Sequence, residues 1–144
     1  MNRRIYNIKI LLLLSVLFSC FSSRDYLKLN TKVNKNEANK YEKIMIPSGA
    51  FVDSFQFIKN GVVYNLGISS NNKIVFISTA DKNFFIGNLK IEDTLSEENL
   101  KNGFKYVFGW GYYLQIDNEW YVGFDYATMP NEKSKIKWFF KYDF

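Results

Sequence analysis

The residues that decide the fold are YVFGWGYYLQI at 106–116, continued by WYVGFDY at 120–126 and IKWFFKY at 136–142. Their large apolar side chains keep to even positions. Tyr106, Phe108, Trp110, Tyr112, Leu114 and Ile116 come first, then Trp120, Val122, Phe124 and Tyr126, then Ile136, Trp138, Phe140 and Tyr142. Successive side chains of a strand point to opposite faces, so a period of two sustained this long predicts three half-buried antiparallel strands. The loop between the first two must preserve parity. A two-residue loop would set the even face of one strand against the odd face of the next. Asp117-Asn118-Glu119 keeps Ile116 opposite Trp120, so a three-residue loop is expected.

Upstream, Asn60-Gly61 lies between apolar runs at 54–58 and 62–68. Both residues of such a turn need positive φ, which makes Asn-Gly a strong hairpin signal. A two-residue loop pairs Ile58 with Val63, Phe57 with Tyr64, Gln56 with Asn65 and Phe55 with Leu66. A short strand at 44–46, stopped by Pro47-Ser48-Gly49, precedes this hairpin. A polar turn at 69–73 and a strand at 74–79 follow it. Residues 84–91 are expected to be extended. One helix of about eight residues is expected next, with Thr94 as its cap, Glu97 completing a capping box and Gly103 as its stop. Leu95 and Leu100 would pack it on the sheet.

The fold class expected is mostly β (α+β), with one short helix. Residues 41–144 would form a single antiparallel sheet, or a small open barrel or meander. At 144 residues the chain supports one such domain. It has no histidine and one cysteine, which excludes His-based triads, Cys-rich zinc sites and internal disulfides. No phosphate-binding glycine loop or metal-ligand spacing occurs, so neither a cofactor nor a metal is expected.

The first twenty residues carry a different signal. Arg3, Arg4 and Lys9 precede an aliphatic run at 10–14, extended by Val16, Leu17 and Phe18. The run is shorter than the ~20 residues a membrane-crossing helix needs and has the length and flanks of a secretory signal. It ends at Leu17-Phe18-Ser19-Cys20. This stretch resembles a bacterial lipoprotein signal peptide with its lipobox, although Phe18 stands where a small residue is more usual. The resemblance implies cleavage before Cys20 and lipid attachment to it. Each buried acyl CH₂ contributes ~0.8 kcal/mol, so more than one chain gives a stable anchor. An uncleaved anchor, or a plain secretory signal with a chance cysteine, are the other readings of these residues.

Cleavage would remove residues 1–19, three positive charges and no negative one, leaving 16 basic groups against 14 acidic. The basic footprint of a nucleic-acid binder disappears, and no nucleic-acid partner is expected. Residues 20–40 would be the lipidated cysteine and a flexible, polar tether, unless part of it adds an N-terminal strand. A second resemblance runs from Lys90 through the short helix into Gly-Trp-Gly-Tyr-Tyr at 109–113. It is to small uncharacterised exported bacterial proteins of mostly-β or α+β build, and it implies a fold type without an activity.

Twenty-seven aromatic residues need a core or a binding surface to absorb them. The odd-numbered face of the C-terminal strands carries Gly109, Gly111, Tyr113, Gln115, Tyr121, Gly123 and Asp125, with Lys135, Lys137, Phe139 and Lys141 on the last strand. Glycine inside a strand marks a bend, a bulge or a close backbone approach. One explanation is a shallow platform on which a sugar ring or peptide strand meets Tyr113 and Tyr121, with Gln115 and Asp125 supplying polar contacts. Sheet curvature, with aromatics covering bare backbone, explains the same pattern. Lys133, Lys135, Lys137 and Lys141 would protect an aromatic edge strand from aggregation, with an anionic-ligand site as the alternative reading of the same lysines. The function expected is a lipid-anchored cell-envelope protein that binds or scaffolds an envelope protein or glycan. An immunity or inhibitor lipoprotein acting against a toxin or hydrolase is the alternative. A small hydrolase using carboxylates such as Asp53 and Asp125 is third, and catalysis is not expected.

Overall fold

The computed structural model describes residues 27–34, 42–101, 103–125 and 128–144. The expected signal peptide, Cys20 and part of the expected tether lie outside the described residues. The elements run β1 (Glu42–Met45), β2 (Phe51–Lys59), β3 (Val62–Ile68), β4 (Ile74–Thr79), β5 (Phe85–Ile86), β6 (Leu89–Lys90), α1 (Glu97–Leu100), β7 (Lys105–Val107), β8 (Gly111–Gln115), β9 (Tyr121–Gly123) and β10 (Trp138–Tyr142). Eight strands make one sheet in the order β1-β2-β3-β4-β10-β9-β8-β7, and β5 pairs with β6. Two antiparallel four-stranded meanders are thus joined where β10 pairs with β4, from Phe139 opposite Thr79 to Tyr142 opposite Phe76. The sheet curls into a half-barrel, and the described residues are mostly β with one helical turn.

The β2–β3 hairpin has the register its turn dictates, including Ile58 opposite Val63 and Gln56 opposite Asn65. Asn60 (φ 53°) and Gly61 (φ 77°) both take positive φ, matching the twist of the flanking strands. The β8–β9 loop is three residues long, and Ile116 N–H donates to the Trp120 carbonyl at 3.0 Å. Asp117 holds this turn by accepting from the backbone N–H of Glu119 (2.8 Å) and Trp120 (2.7 Å).

Several elements differ from expectation. Residues 106–116 are not one strand. The chain reverses at Phe108-Gly109-Trp110, and β7 pairs back on β8 with Tyr106 opposite Tyr112. Gly109 sits at φ 75°, where L residues rarely go. A three-residue loop preserves parity, so the even-numbered alternation runs through the turn without a break. Four strands therefore stand where three were expected. The run at 84–91 also folds back, at Gly87 (φ 57°), into the β5–β6 hairpin.

The faces of β10 are the reverse of those expected. Val122 lies opposite Phe139, Gly123 opposite Trp138 and Tyr121 opposite Phe140. Phe139 and Lys141 therefore share a face with Val122 and Leu114, while Trp138, Phe140 and Tyr142 join Tyr113 and Tyr121. The cause is Ile136, which packs in the core beside Leu114 and Val122 but precedes the strand. Its N–H donates to the Asp93 carbonyl and its carbonyl accepts from Glu92 N–H, both at 2.9 Å. Parity is not carried from this bridge into β10. Nor is β10 an edge strand, since it lies between β4 and β9. Its neighbouring lysines instead form ion pairs, Lys135 and Lys137 with Glu92, and Lys141 with Glu119.

The helix starts two residues later than expected and is a single turn. Ser96 caps it, with Asn99 N–H donating to Ser96 Oγ and Ser96 N–H to Asn99 Oδ1. Thr94 bridges to Lys135 instead. Gly103 (φ 70°) ends the segment, its N–H on the Leu100 carbonyl. Residues 27–34, whose composition suggests tether, lie against the domain. Asn30 N–H donates to the Ile74 carbonyl (2.8 Å), Ile74 N–H to that of Thr31 (2.9 Å), and Val33 is buried.

One face of the sheet holds Phe55, Leu66, Ile77, Leu114, Val122 and Phe139, all buried. Val33, Phe84 and Leu95 cover it, and Phe84 and Trp120 join its two halves. The other face is left to the aromatic residues.

Candidate functional site: the aromatic inner face of the sheet

Residues directly opposite one another on paired strands share a face. The observed registers set Gln56, Asn65, Ser78, Phe140, Tyr121 and Gln115 in one row across β2, β3, β4, β10, β9 and β8. Three uncharged hydrogen-bonding side chains thus run into an aromatic half. Phe76 and Tyr142 form part of the next row on one side, while Trp138 stands on the other. The sheet curls toward this face. Trp110, in the β7–β8 turn, reaches over it to donate from Nε1 to the Met45 carbonyl on β1 at 3.3 Å.

Trp110 is the hub of the face. Its ring meets Phe76 (6.3 Å, 90°), Trp138 (6.0 Å, 87°) and Phe140 (4.7 Å, 69°). These are the edge-to-face arrangements that aromatic quadrupoles favour. Beside it lies a groove of about 380 Å³ lined by Ile44, Asn65, Phe76, Ser78, Trp110 and Trp138, with Met45 and Gly109 at its margin. Asn65 and Ser78 are half-buried.

The residues singled out from sequence are distributed unevenly over this face. Tyr113 is buried, with the C-terminal Phe144 stacked on it at 4.7 Å and 5°. Tyr121 lies nearly parallel to Phe140 at 5.2 Å. The two tyrosines meet each other edge-to-face at 5.7 Å. Burial raises both phenol pKa values above the ordinary range, with Tyr121 adding to the effect on Tyr113 and Asp143 to that on Tyr121. Tyr113 is closed in by neighbouring rings, whereas half-buried Tyr121 also lines a second cavity, of about 270 Å³, with Lys28, Tyr142 and Asp143. Gly123 is roofed by Trp138. A Cβ placed on it would fall 2.1 Å from the indole Cε2 and Nε1. Gly111 is buried at φ 125°, and Gly109 has open space where a Cβ would go.

Gln115 and Asp125 are peripheral. Gln115 Nε2 donates to the Asp117 carbonyl at 2.9 Å. Asp125 is exposed and 4.0 Å from Lys137 Nζ. The other singled-out carboxylate, Asp53, forms an ion pair with Lys43 on β1. Among the described residues no group of three acidic side chains converges as a metal would require. The polar and aromatic groove residues not singled out from sequence are Asn65, Phe76, Ser78, Trp110 and Trp138. The one signal pointing to them was the Gln56–Asn65 pair, which the hairpin register alone places on the face opposite Phe55 and Leu66.

No family model, no curated protein and no solved structure matches the chain.

Proposed function

We propose that the chain is a bacterial cell-envelope lipoprotein, anchored by lipid on Cys20, whose β domain binds an envelope partner, protein or glycan, through the inner face of the half-barrel. The carrying observation is the groove at Trp110 and Trp138. It is concave, held by a tryptophan bonded across the sheet to Met45, and bordered by partly buried polar side chains on an apolar floor. A folding core alone gains nothing from leaving such a face open, because two tryptophans bury more apolar surface when fully covered. Export and anchoring rest on the charged start, the short apolar run and Ser19-Cys20.

The anchor is tested by metabolic labelling with a palmitate analogue. Wild type should take the label and Cys20→Ser should not; equal labelling of both removes the lipoprotein assignment. The binding face is tested by retention of the full-length protein on isolated envelope fractions. Retention should fall for Trp110→Ala and be unchanged for Lys59→Ala, at the end of β2 on the face opposite Gln56.

A further inference from the structure

We infer that the groove between Trp110 and Trp138 is a binding site for an uncharged saccharide ring. The inference rests on the inner face being where the domain binds, and it names the chemistry of the ligand.

Charge narrows the choice first. The groove is lined by aliphatic, aromatic, amide and hydroxyl groups, with no ionisable side chain among them. An anionic ligand, whether phosphorylated, sulfated or an acidic peptide, would lose water there without meeting a counter-charge. A cationic one would fare no better, since no carboxylate lines the groove. The ligand that complements this surface is neutral.

The floor then separates polar from apolar ligands. Asn65 and Ser78 are cross-strand partners on β3 and β4, side by side on the inner face. Neither side chain has a hydrogen-bond partner among the described residues. An acyl chain or aliphatic side chain seated over them would bury an amide and a hydroxyl unsatisfied, costing roughly tenfold in affinity for each. A saccharide hydroxyl is donor and acceptor at once. The planar amide of Asn65 offers both functions in a fixed plane, as neighbouring ring hydroxyls do, and Ser78 adds a third partner.

The walls supply the remaining complementarity. A pyranose ring has one face of C–H groups that packs on a flat aromatic surface, and the indoles of Trp138 and Trp110, set at 87° to each other, both line the groove. Trp110 is fixed before binding by its bond to Met45 and its edge contacts with Phe76 and Phe140, so little side-chain freedom is lost on association. At about 380 Å³ the groove falls at the small end of ligand sites, roughly 300–1,000 Å³, suited to one or two sugar rings. Gly109 at the margin leaves open space for a chain to continue.

The test uses full-length protein in a detergent without a sugar head group. Cellotriose, maltotriose, chitotriose and a sulfated heparin fragment are titrated, and binding is read by tryptophan fluorescence. A saturable change is expected with at least one neutral sugar and none with the heparin fragment. The response should persist in Trp120→Phe, since Trp120 belongs to the opposite face. It should shift to about tenfold higher concentration in Asn65→Ala and in Ser78→Ala. Both variants keep the rings in place, and unchanged thermal unfolding confirms that they fold. Absence of any response to the neutral sugars, or a response indifferent to Asn65→Ala and Ser78→Ala, overturns the inference. If no sugar binds but Trp110→Ala still lowers retention on envelope fractions, the saccharide is wrong and the binding face stands. If retention is also unaffected by Trp110→Ala, both fail.

Discussion

Replacing Gly123 by alanine isolates the contact that shapes the inner face. Gly123 lies opposite Trp138 on β9 and β10. A Cβ there would fall 2.1 Å from two indole atoms and 2.6 Å from a third, whereas real Cβ atoms keep at least 3.0 Å. The φ of Gly123 is outside the left-handed region, so the effect is steric. The indole must move by roughly 1 Å, yet Trp110 packs edge-to-face with it and is itself bonded to Met45. Overpacking of this kind costs about 1–3 kcal/mol. Alanine recovers about 0.5–1 kcal/mol over glycine in a strand, which leaves a net loss of about 0–2.5 kcal/mol; because Trp110 limits how far the indole can yield, about 1–2 kcal/mol of that range is expected. For a domain of this size each kcal/mol lowers Tm by about 4–8 °C, so a fall on the order of 5–15 °C is expected by circular dichroism. The near-ultraviolet signal of the Trp110–Trp138 pair should weaken with it. In Trp138→Ala the same glycine replacement should be neutral or stabilising, giving a coupling above ~0.5 kcal/mol in the double-mutant cycle. A Gly123→Ala protein as stable as wild type, with coupling below that value, would refute the account of Trp138 as the roof over bare backbone.

Three further predictions concern the N-terminal meander. Gly61→Ala forces a side chain into φ 77° and should cost about 1–2 kcal/mol, read as a lower urea midpoint, while Asn60→Gly should be near neutral. Thr79 donates to the Val63 carbonyl at 2.8 Å and accepts from Asp81 N–H at 3.1 Å while almost fully buried. Thr79→Val should therefore lose about 1–3 kcal/mol by stranding both groups, and Thr79→Ser should retain most of the stability. Asp81 accepts from the backbone N–H of Asn83 and Val63, each at 2.9 Å, and these bonds hold its carboxyl below the usual range. A depressed pKa contributes stability that is complete above the unfolded value of about 4 and is lost as pH falls through the folded value. Asp81→Asn should accordingly flatten the decline in Tm below about pH 4; an unchanged acid limb would remove Asp81 from that role.

Period-two patterning made the strands legible, and the hairpin turns fixed two registers residue by residue. The turn at Phe108-Gly109-Trp110 was hidden because hydrophobic alternation reports only which face a side chain occupies. A three-residue loop changes strand direction without changing face, so alternation is blind to it. Gly109 between Phe108 and Trp110 was the only local mark of the reversal. The helix start was ambiguous for a related reason. Thr94 has Glu97 and Ser96 has Asn99 at capping-box distance, and the choice between them was settled by the Thr94–Lys135 bridge, a contact across some forty residues of sequence.

The groove was least legible because its residues come from β1, β3, β4, the β7–β8 turn and β10, and of these strands only β3 and β4 are neighbours in both sequence and space. The order itself turns on β10 entering beside β4. That placement brings Trp138 and Phe140 next to Ser78, and it depends on the parity break after Ile136. If Ile136 and Trp138 shared a face, the tryptophan would lie in the core and Phe139 would lie over Gly123. The glycine would then have no indole to admit, and the inner face would lose one of its two walls. The break at Ile136 therefore determines both the core and the groove. It places Phe139 where the core needs an apolar side chain and leaves Trp138 on the face that Trp110 crosses to reach Met45.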